Sequence, residues 1–146
     1  MAGAIPPFLY TEDFMFKLIK NILLYLWQLP QNLLGLAVIV FTGAKKQVML
    51  SSYFYMTEKR WFGVSLGKYI IFGGHPSKTS IQHERGHQKQ SLYLGWIYLL
   101  IIGIPSACGN LYDRLFHKNW NSKKRCDWYY SLPWESWADR LGGVER

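Results

Sequence analysis

The sequence predicts an α+β fold, in which a small antiparallel sheet packs on one long helix, with one or two apolar helices before it and a short helix after it. Three observations carry that prediction. Residues 83–87 read His-Glu-Arg-Gly-His, an H-E-x-x-H pattern. Positions four apart share a helix face, so the pattern brings its two histidines together only in helical form. Residues 47–74 alternate β-prone clusters with glycines at 63, 67, 73 and 74, the punctuation of a small sheet. Residues 21–44 carry no charged side chain, and that length can cross a bilayer.

The totals bound the partners. A chain of 146 residues is long enough for one domain with a real core. Hydrophobic residues make up 49%, with 7 Trp, 10 Tyr and 8 Phe, and the net charge is +8. A basic balance fits nucleic acid or an anionic membrane surface. Long apolar runs and tryptophans beside that charge select the membrane. A lipid membrane is therefore the expected partner and location, and nucleic acid is not. Cys108 and Cys126 form no C-x-x-C pattern, which excludes a disulfide framework and a cysteine zinc knuckle. Two reduced thiols are expected.

Residues 1–12 predict an irregular start, because Pro6 and Pro7 block early helix. From Asp13 the pattern is helical, and residues 1–44 are expected to form an apolar anchor ahead of a domain over 45–146. Gln28, Pro30, Gln31 and Asn32 interrupt the apolar run. It reads as one kinked transmembrane helix, or as an amphipathic helix to Gln28 followed by a second helix from Gln31 to Thr42. As a signal sequence it is too long and lacks a small-residue cleavage site. Lys17, Lys20, Lys45 and Lys46 flank both ends, so the positive-inside rule gives no orientation.

Strands are expected at Val48-Met49-Leu50, Tyr53-Phe54-Tyr55, Val64-Ser65-Leu66 and Lys68-Tyr69-Ile70-Ile71-Phe72. Thr79 is the expected helix cap, with Gln82 reaching back to it. The helix is expected to run from about Ser80 to Pro105, since residues 92–104 are almost wholly apolar. Residues 113–127 read as a basic, exposed connection. Ser131 is the expected cap of a last short helix, with Pro133 in its first turn and Gly142 and Gly143 ending it. His75 and His117 read as ordinary loop histidines. Trp128, Trp134 and Trp137 read as core or interfacial anchors.

The chemistry lies in two of these helices. His83 and His87 on one face suit a zinc ion, and Glu84, one step round, can reach a water beside it. Glu135 and Asp139 share a face of the last helix. Glu135 can supply a third ligand, and Asp139 can accept the outer N–H of a ligand histidine and hold its tautomer.

His-Glu-Arg-Gly-His at 83–87 followed by Glu-Ser-Trp-Ala-Asp at 135–139 resembles the gluzincin zinc metallopeptidases, the thermolysin-like clan. The resemblance covers five positions. It implies zinc held by His83, His87 and Glu135, Glu84 as general base, Asp139 as the orienting acid, and a minimal metallopeptidase domain over 45–146. The implied reaction is hydrolysis of a peptide or protein substrate by zinc-activated water. The strand Lys68, Tyr69, Ile70, Ile71 and Phe72 is expected to pair with extended substrate. An oxyanion stabiliser is also implied, with Tyr129, Tyr130 and His75 as candidates.

One conflict follows. A helix running on from His87 to Ile104 would extend about 25 Å, and Glu135 would then lie across the bilayer from the histidines. Residues 113–127 are too charged to recross. The helix is therefore expected to stay in a compact fold or dip into one leaflet. The competing functional classes are a non-enzymatic membrane protein, with a structural metal or none, and a remnant that binds peptide without cutting it. Retention of Glu84 ranks the remnant lower.

Overall fold

The computed structural model describes the backbone of residues 7–49, 52–58 and 62–146, and the side chains of 13–48, 53–58 and 62–146. The fold is α+β. Helices α1 (Pro7–Trp27) and α2 (Leu29–Thr42) lead into strands β1 (Lys45–Met49), β2 (Ser52–Thr57), β3 (Phe62–Leu66) and β4 (Tyr69–Gly73). Helix α3 (Lys78–Leu94) follows, then a 3-10 turn Gly95–Ile97 and a π-helical turn Leu99–Gly103. The chain closes with α4 (Ile104–Phe116), α5 (Ser122–Ser131) and α6 (Pro133–Gly142). Leu50 and residues 1–6, which enter the expectations for the first strand and the irregular start, lie outside the described residues. Residues from Pro7 onward already belong to α1.

The sheet is mixed, not wholly antiparallel. Its order is β1-β2-β4-β3, with β2 and β4 parallel. The chain steps from β2 to the far edge for β3 and fills the gap with β4. Strand β4 thus lies between β2 and β3, paired on both sides over Ile71, Phe72 and Gly73, and is no sheet edge for a substrate strand, while Lys68 sits in the turn before it. The core behind the sheet is Phe54, Ile70, Phe72 and Ile81, with Met56 against it. Phe54 and Phe72 meet edge to face at 5.5 Å, a pairing that adds about 1 kcal/mol to the area they bury.

Three polar residues in the apolar N-terminal run are turned inward. Gln28, Gln31 and Asn32 are buried. Gln31 Nε2 donates to Ser91 Oγ (3.0 Å) and to the Gly95 carbonyl (2.9 Å). Ser91 Oγ donates to Gln28 Oε1 (2.8 Å). Asn32 Oδ1 accepts from Lys68 N (2.9 Å). These bonds hold α2 against α3 and the β3–β4 turn. The break falls at Gln28, with Pro30 in the first turn of α2, so the two-helix reading of this run holds. The helices meet at 85°.

The second apolar run breaks where no proline stands. Its break is at Gly95, whose φ of +54° suits glycine and few other residues. A Cβ there would strike the Trp27 ring, so the close approach of that indole also requires glycine. Pro105, expected to end the helix, instead lies in the first turn of α4. Past the 3-10 turn, at Tyr98, the segments Lys78–Ile97 and Leu99–Phe116 are bent by 120°. Among the described residues no single helix is long and apolar enough to cross a membrane.

Three caps and connections also differ from expectation. Ser77 caps α3, its Oγ accepting from Ser80 N at 3.0 Å. Thr79 already lies inside the helix, and Gln82 Nε2 bonds the Gly143 carbonyl instead of reaching back. Residues 122–131 form α5, so this part of the expected connection is helical, although none of its residues is buried, while Ser131 is its last residue and bonds Trp128 O. Asp113 and His117 are both buried, so His117 is not a loop histidine. His75 is exposed in the segment before α3.

Candidate metal centre

Two helices build the centre. Helix α3 presents His83 and His87 four residues apart, and α6 presents Glu135 in its first turn and Asp139 one turn later. Pro133 lies in the first turn of α6, where the missing N–H costs nothing, and Gly143 ends it in the left-handed conformation. The two helices approach closely because of two glycines. A Cβ on Gly86 would overlap the Ala138 carbonyl, and one on Gly142 would overlap the Gln82 carbonyl. The glycine inside His-Glu-Arg-Gly-His therefore lets the backbone carrying Glu135 reach the histidines.

All five expected residues come together. His83, Glu84 and His87 are buried, Glu135 is completely so at 0% exposure, and Asp139 is nearly so. His83 Nε2 lies 3.1 Å from Glu135 Oε2, and His87 Nε2 lies 3.2 Å from the same oxygen. The two Nε2 atoms are 3.1 Å apart. A tetrahedral site with bonds of 2.0–2.1 Å has edges of about 3.3 Å. The triangle of donor atoms fits one face of such a site, and this buried trio can hold a metal ion.

The outer nitrogens show how the trio could hold a cation. His83 Nδ1 lies 2.7 Å from Asp139 Oδ1, and a carboxylate oxygen can only accept that N–H. His87 Nδ1 lies 2.7 Å from Gln90 Oε1. Gln90 is oriented in turn, since its Nε2 donates to Trp134 O at 2.8 Å. With both Nδ1 atoms donating, each neutral imidazole turns a bare lone pair toward Glu135 Oε2. Three acceptors at 3.1–3.2 Å repel unless a proton or a metal ion sits among them. Glu135 Oε1 and Glu84 Oε2 are buried without a hydrogen-bond partner among the described residues.

Electrostatics follow from burial and these neighbours. Burial pushes the Glu84 carboxyl above its usual value, against the opposing pull of His87 and His83. Burial also acts upward on Glu135, but with a proton in the cation's place on a histidine Nε2, the bonds to the histidines outweigh it and hold that carboxyl well below the usual range. Burial lowers His87, yet its bond to Glu135 and the charge of Glu84 raise it on balance. The site therefore holds a place for positive charge beside one raised and one depressed carboxyl, a combination common at reaction centres.

Glu84 also faces the sheet. A Cβ on Gly63 of β3 would come within 2.7 Å of Glu84 Oε1. Among the described residues, strand β3 is a sheet edge, paired with β4 alone. The Ser65 carbonyl points away from β4 and accepts the Tyr98 hydroxyl at 3.1 Å. Gly63, two residues earlier, has the same parity, so its backbone groups also face outward.

The tyrosines divide. The Tyr130 ring meets the His83 ring edge to face at 5.1 Å, and the Arg146 guanidinium carbon lies 3.3 Å from the Tyr130 ring centre. Arg146 also bonds Asp139 Oδ2 at 2.6 Å. The Tyr129 hydroxyl is 3.0 Å from Ser106 Oγ, and burial followed by the charge of Glu135 raises it. His75 is outside the cluster. Gln90, Gly86 and Arg146 were not singled out by sequence. Gln90 was within reach of the same spacing rule, being three residues beyond His87 on one helix face; Arg146, seven residues beyond Asp139, offered no such signal.

No family model matches this chain, and comparison with curated proteins and with solved structures finds no match.

Proposed function

We propose that the chain is a membrane-associated zinc metallopeptidase. The observation that carries the reading is the convergence of His83 Nε2, His87 Nε2 and Glu135 Oε2 at 3.1–3.2 Å, with both outer imidazole nitrogens already committed to Asp139 and Gln90. Two imidazoles and one carboxylate suit zinc. Structural zinc sites are closed by four protein ligands, whereas catalytic sites use three and keep one position open. Zinc bound there supplies Lewis acidity and makes water acidic near neutral pH.

The chain's own residues do the rest. Glu84, buried and raised above its usual value, accepts a proton from the attacking water and returns it to the leaving amine. Oxygen from the water adds to the peptide carbonyl carbon, the C–N bond breaks, and the proton carried by Glu84 ends on nitrogen. Asp139 and Gln90 keep both histidines in one tautomer. Extended substrate lies along β3, with Gly63 offering backbone groups beside Glu84. That role passes to β3 from residues 68–72, whose strand is interior. Tyr130, packed on His83, is the residue assigned to the oxyanion.

Glu84→Gln tests the reading on a peptide library. It should retain zinc and lose cleavage by at least roughly 100-fold, the scale of a lost general base. Equal cleavage by Glu84→Gln and the native chain would remove Glu84 from the chemistry. Zinc without any cleavage by the native chain would favour peptide binding alone.

A further inference from the structure

Helices α1 and α4, the two arms of the molecule, each present an exposed apolar stripe, α4 while its other side packs on α5 and α6. At 100° per residue, Asp13, Lys17, Lys20 and Asn21 fall within about 100° of the α1 circumference. The remainder carries Phe14, Phe16, Ile19, Ile22, Leu23 and Leu26, all exposed, Phe16 at 69%. On α4, Ile104, Cys108, Leu111 and Leu115 form an exposed stripe at i, i+4, i+7 and i+11. Gly109 and Asp113 lie on its opposite, buried side.

Each arm is half of a bent pair whose other half is held in the body. Helix α2 is tied down by Gln31 and Asn32, and α3 packs on α6 and β3. The two bends are locked to each other. Trp27 Nε1 donates to Leu92 O at 2.9 Å, and Trp96 Nε1 donates to Leu26 O at 2.7 Å. Neither arm is suited to crossing a bilayer. Helix α4 carries Asp113 and Arg114 and spans about 20 Å against a hydrocarbon core of about 30 Å. Helix α1 carries Asp13, Lys17 and Lys20.

We propose that α1 and α4 lie in the plane of one leaflet of an anionic lipid bilayer, which covers their apolar stripes without being crossed. A strongly amphipathic helix with lysines on its polar face is the form that binds such a surface. The net charge of +8, and Lys17 and Lys20 beside the α1 stripe, complement anionic headgroups. A second copy is the poorer occupant, because a symmetric contact through these stripes would face the same lysines against each other. The inference sharpens the membrane part of the proposed function, and its test needs neither metal nor cleavage.

The chain's two cysteines report on it directly. Cys108 lies on the α4 stripe, and Cys126 is exposed on α5. Full-length Cys126→Ser and Cys108→Ser each carry one fluorophore, on vesicles of phosphatidylcholine with phosphatidylserine. The Cys108 label should be quenched most by spin labels near the headgroups, and the Cys126 label by aqueous iodide. Phe16→Glu with Leu23→Glu should weaken vesicle binding by at least roughly tenfold, since both side chains would leave the apolar layer. Lys17→Glu with Lys20→Glu should abolish the preference for phosphatidylserine. Three results would overturn the proposal: iodide reaching both labels on vesicles, Cys108 quenched most by spin labels at the chain ends, or concentration-dependent shielding of Cys108 without lipid. The second indicates a crossing segment, and the third a second copy.

Discussion

The molecule contains the same arrangement twice, once in the candidate metal centre and once outside it. In the centre, His83 Nδ1 lies 2.7 Å from Asp139 Oδ1, and Arg146 Nε donates to Asp139 Oδ2 at 2.6 Å. At the far end of α4, His117 Nδ1 lies 3.2 Å from Asp113 Oδ1, and Arg125 Nε donates to Asp113 Oδ2 at 2.9 Å. Both histidines and both aspartates are buried. What differs is the rest of the imidazole's surroundings. His83 turns Nε2 toward two more donor atoms, while His117 is stacked on Trp120 at 3.7 Å and meets Trp128 edge to face. A buried Arg–Asp–His row is thus not a functional site in itself. In the first case it aims a lone pair into shared space, and in the second it joins α4 to α5.

Substituting each histidine should break the pair apart most widely. His83→Ala should abolish zinc binding at stoichiometric concentrations. His117→Ala should leave metal content unchanged and cost about 1–3 kcal/mol of unfolding free energy, the range for stranding a buried polar partner. Metal analysis and denaturant unfolding of both variants check this. Loss of metal from His117→Ala would mean that the two regions are coupled.

The glycines sharpen the contrast next. Gly86 faces the backbone carbonyl of Ala138, which cannot swing aside, whereas Gly109 of α4 faces the end of the Leu132 side chain. Gly86→Ala should push α6 from α3 and weaken zinc binding by more than roughly tenfold, because ligand geometry tolerates little displacement. Gly109→Ala should leave zinc affinity unchanged and cost no more than about 1–3 kcal/mol of overpacking. Titration of the apoprotein with zinc, with thermal unfolding alongside, distinguishes them.

The aspartates give a smaller effect and a pH signature. Asp139→Asn should weaken zinc about 10–100-fold, as do other losses of a partner behind a ligand histidine. Asp113→Asn should leave it unchanged. The hydrogen bond from Arg125 holds the Asp113 carboxyl below its usual value, against burial and with help from His117. A carboxyl depressed in the folded state stabilises above its unfolded pKa, about 4, and loses that contribution as pH falls toward the folded value. Asp113→Asn should therefore flatten the loss of stability below about pH 4. An unchanged acid limb in denaturant unfolding would contradict the role given to that carboxyl.

Much of the centre was legible because its chemistry is local. The H-E-x-x-H spacing and the four-residue step from Glu135 to Asp139 each define a helix face, and both faces turned out to meet. Pro133 and Gly143 marked the α6 ends for the same reason. What escaped depended on distant partners. Gly95 breaks the second apolar run beneath Trp27, which lies far away in sequence, while Pro105 was the louder local signal. Ser77 and Thr79 both suit a cap, and only the backbone path selects Ser77. The parallel pairing of β2 with β4 leaves no mark in either strand, since it follows from where β3 is placed. Gln31 and Asn32 read as interruptions of a membrane segment, but their amides meet Ser91, Gly95 and Lys68 inside the body. His117 was the avoidable omission, as Asp113 stands four residues before it on the same helix.

Zinc content tests the central claim most directly. The native chain, purified with zinc available and then dialysed, should hold about one zinc per chain, as a single three-ligand site requires. Glu135→Ala, treated identically and shown to be folded, should hold essentially none. A native chain without zinc, or zinc retained in full by Glu135→Ala, would contradict the account.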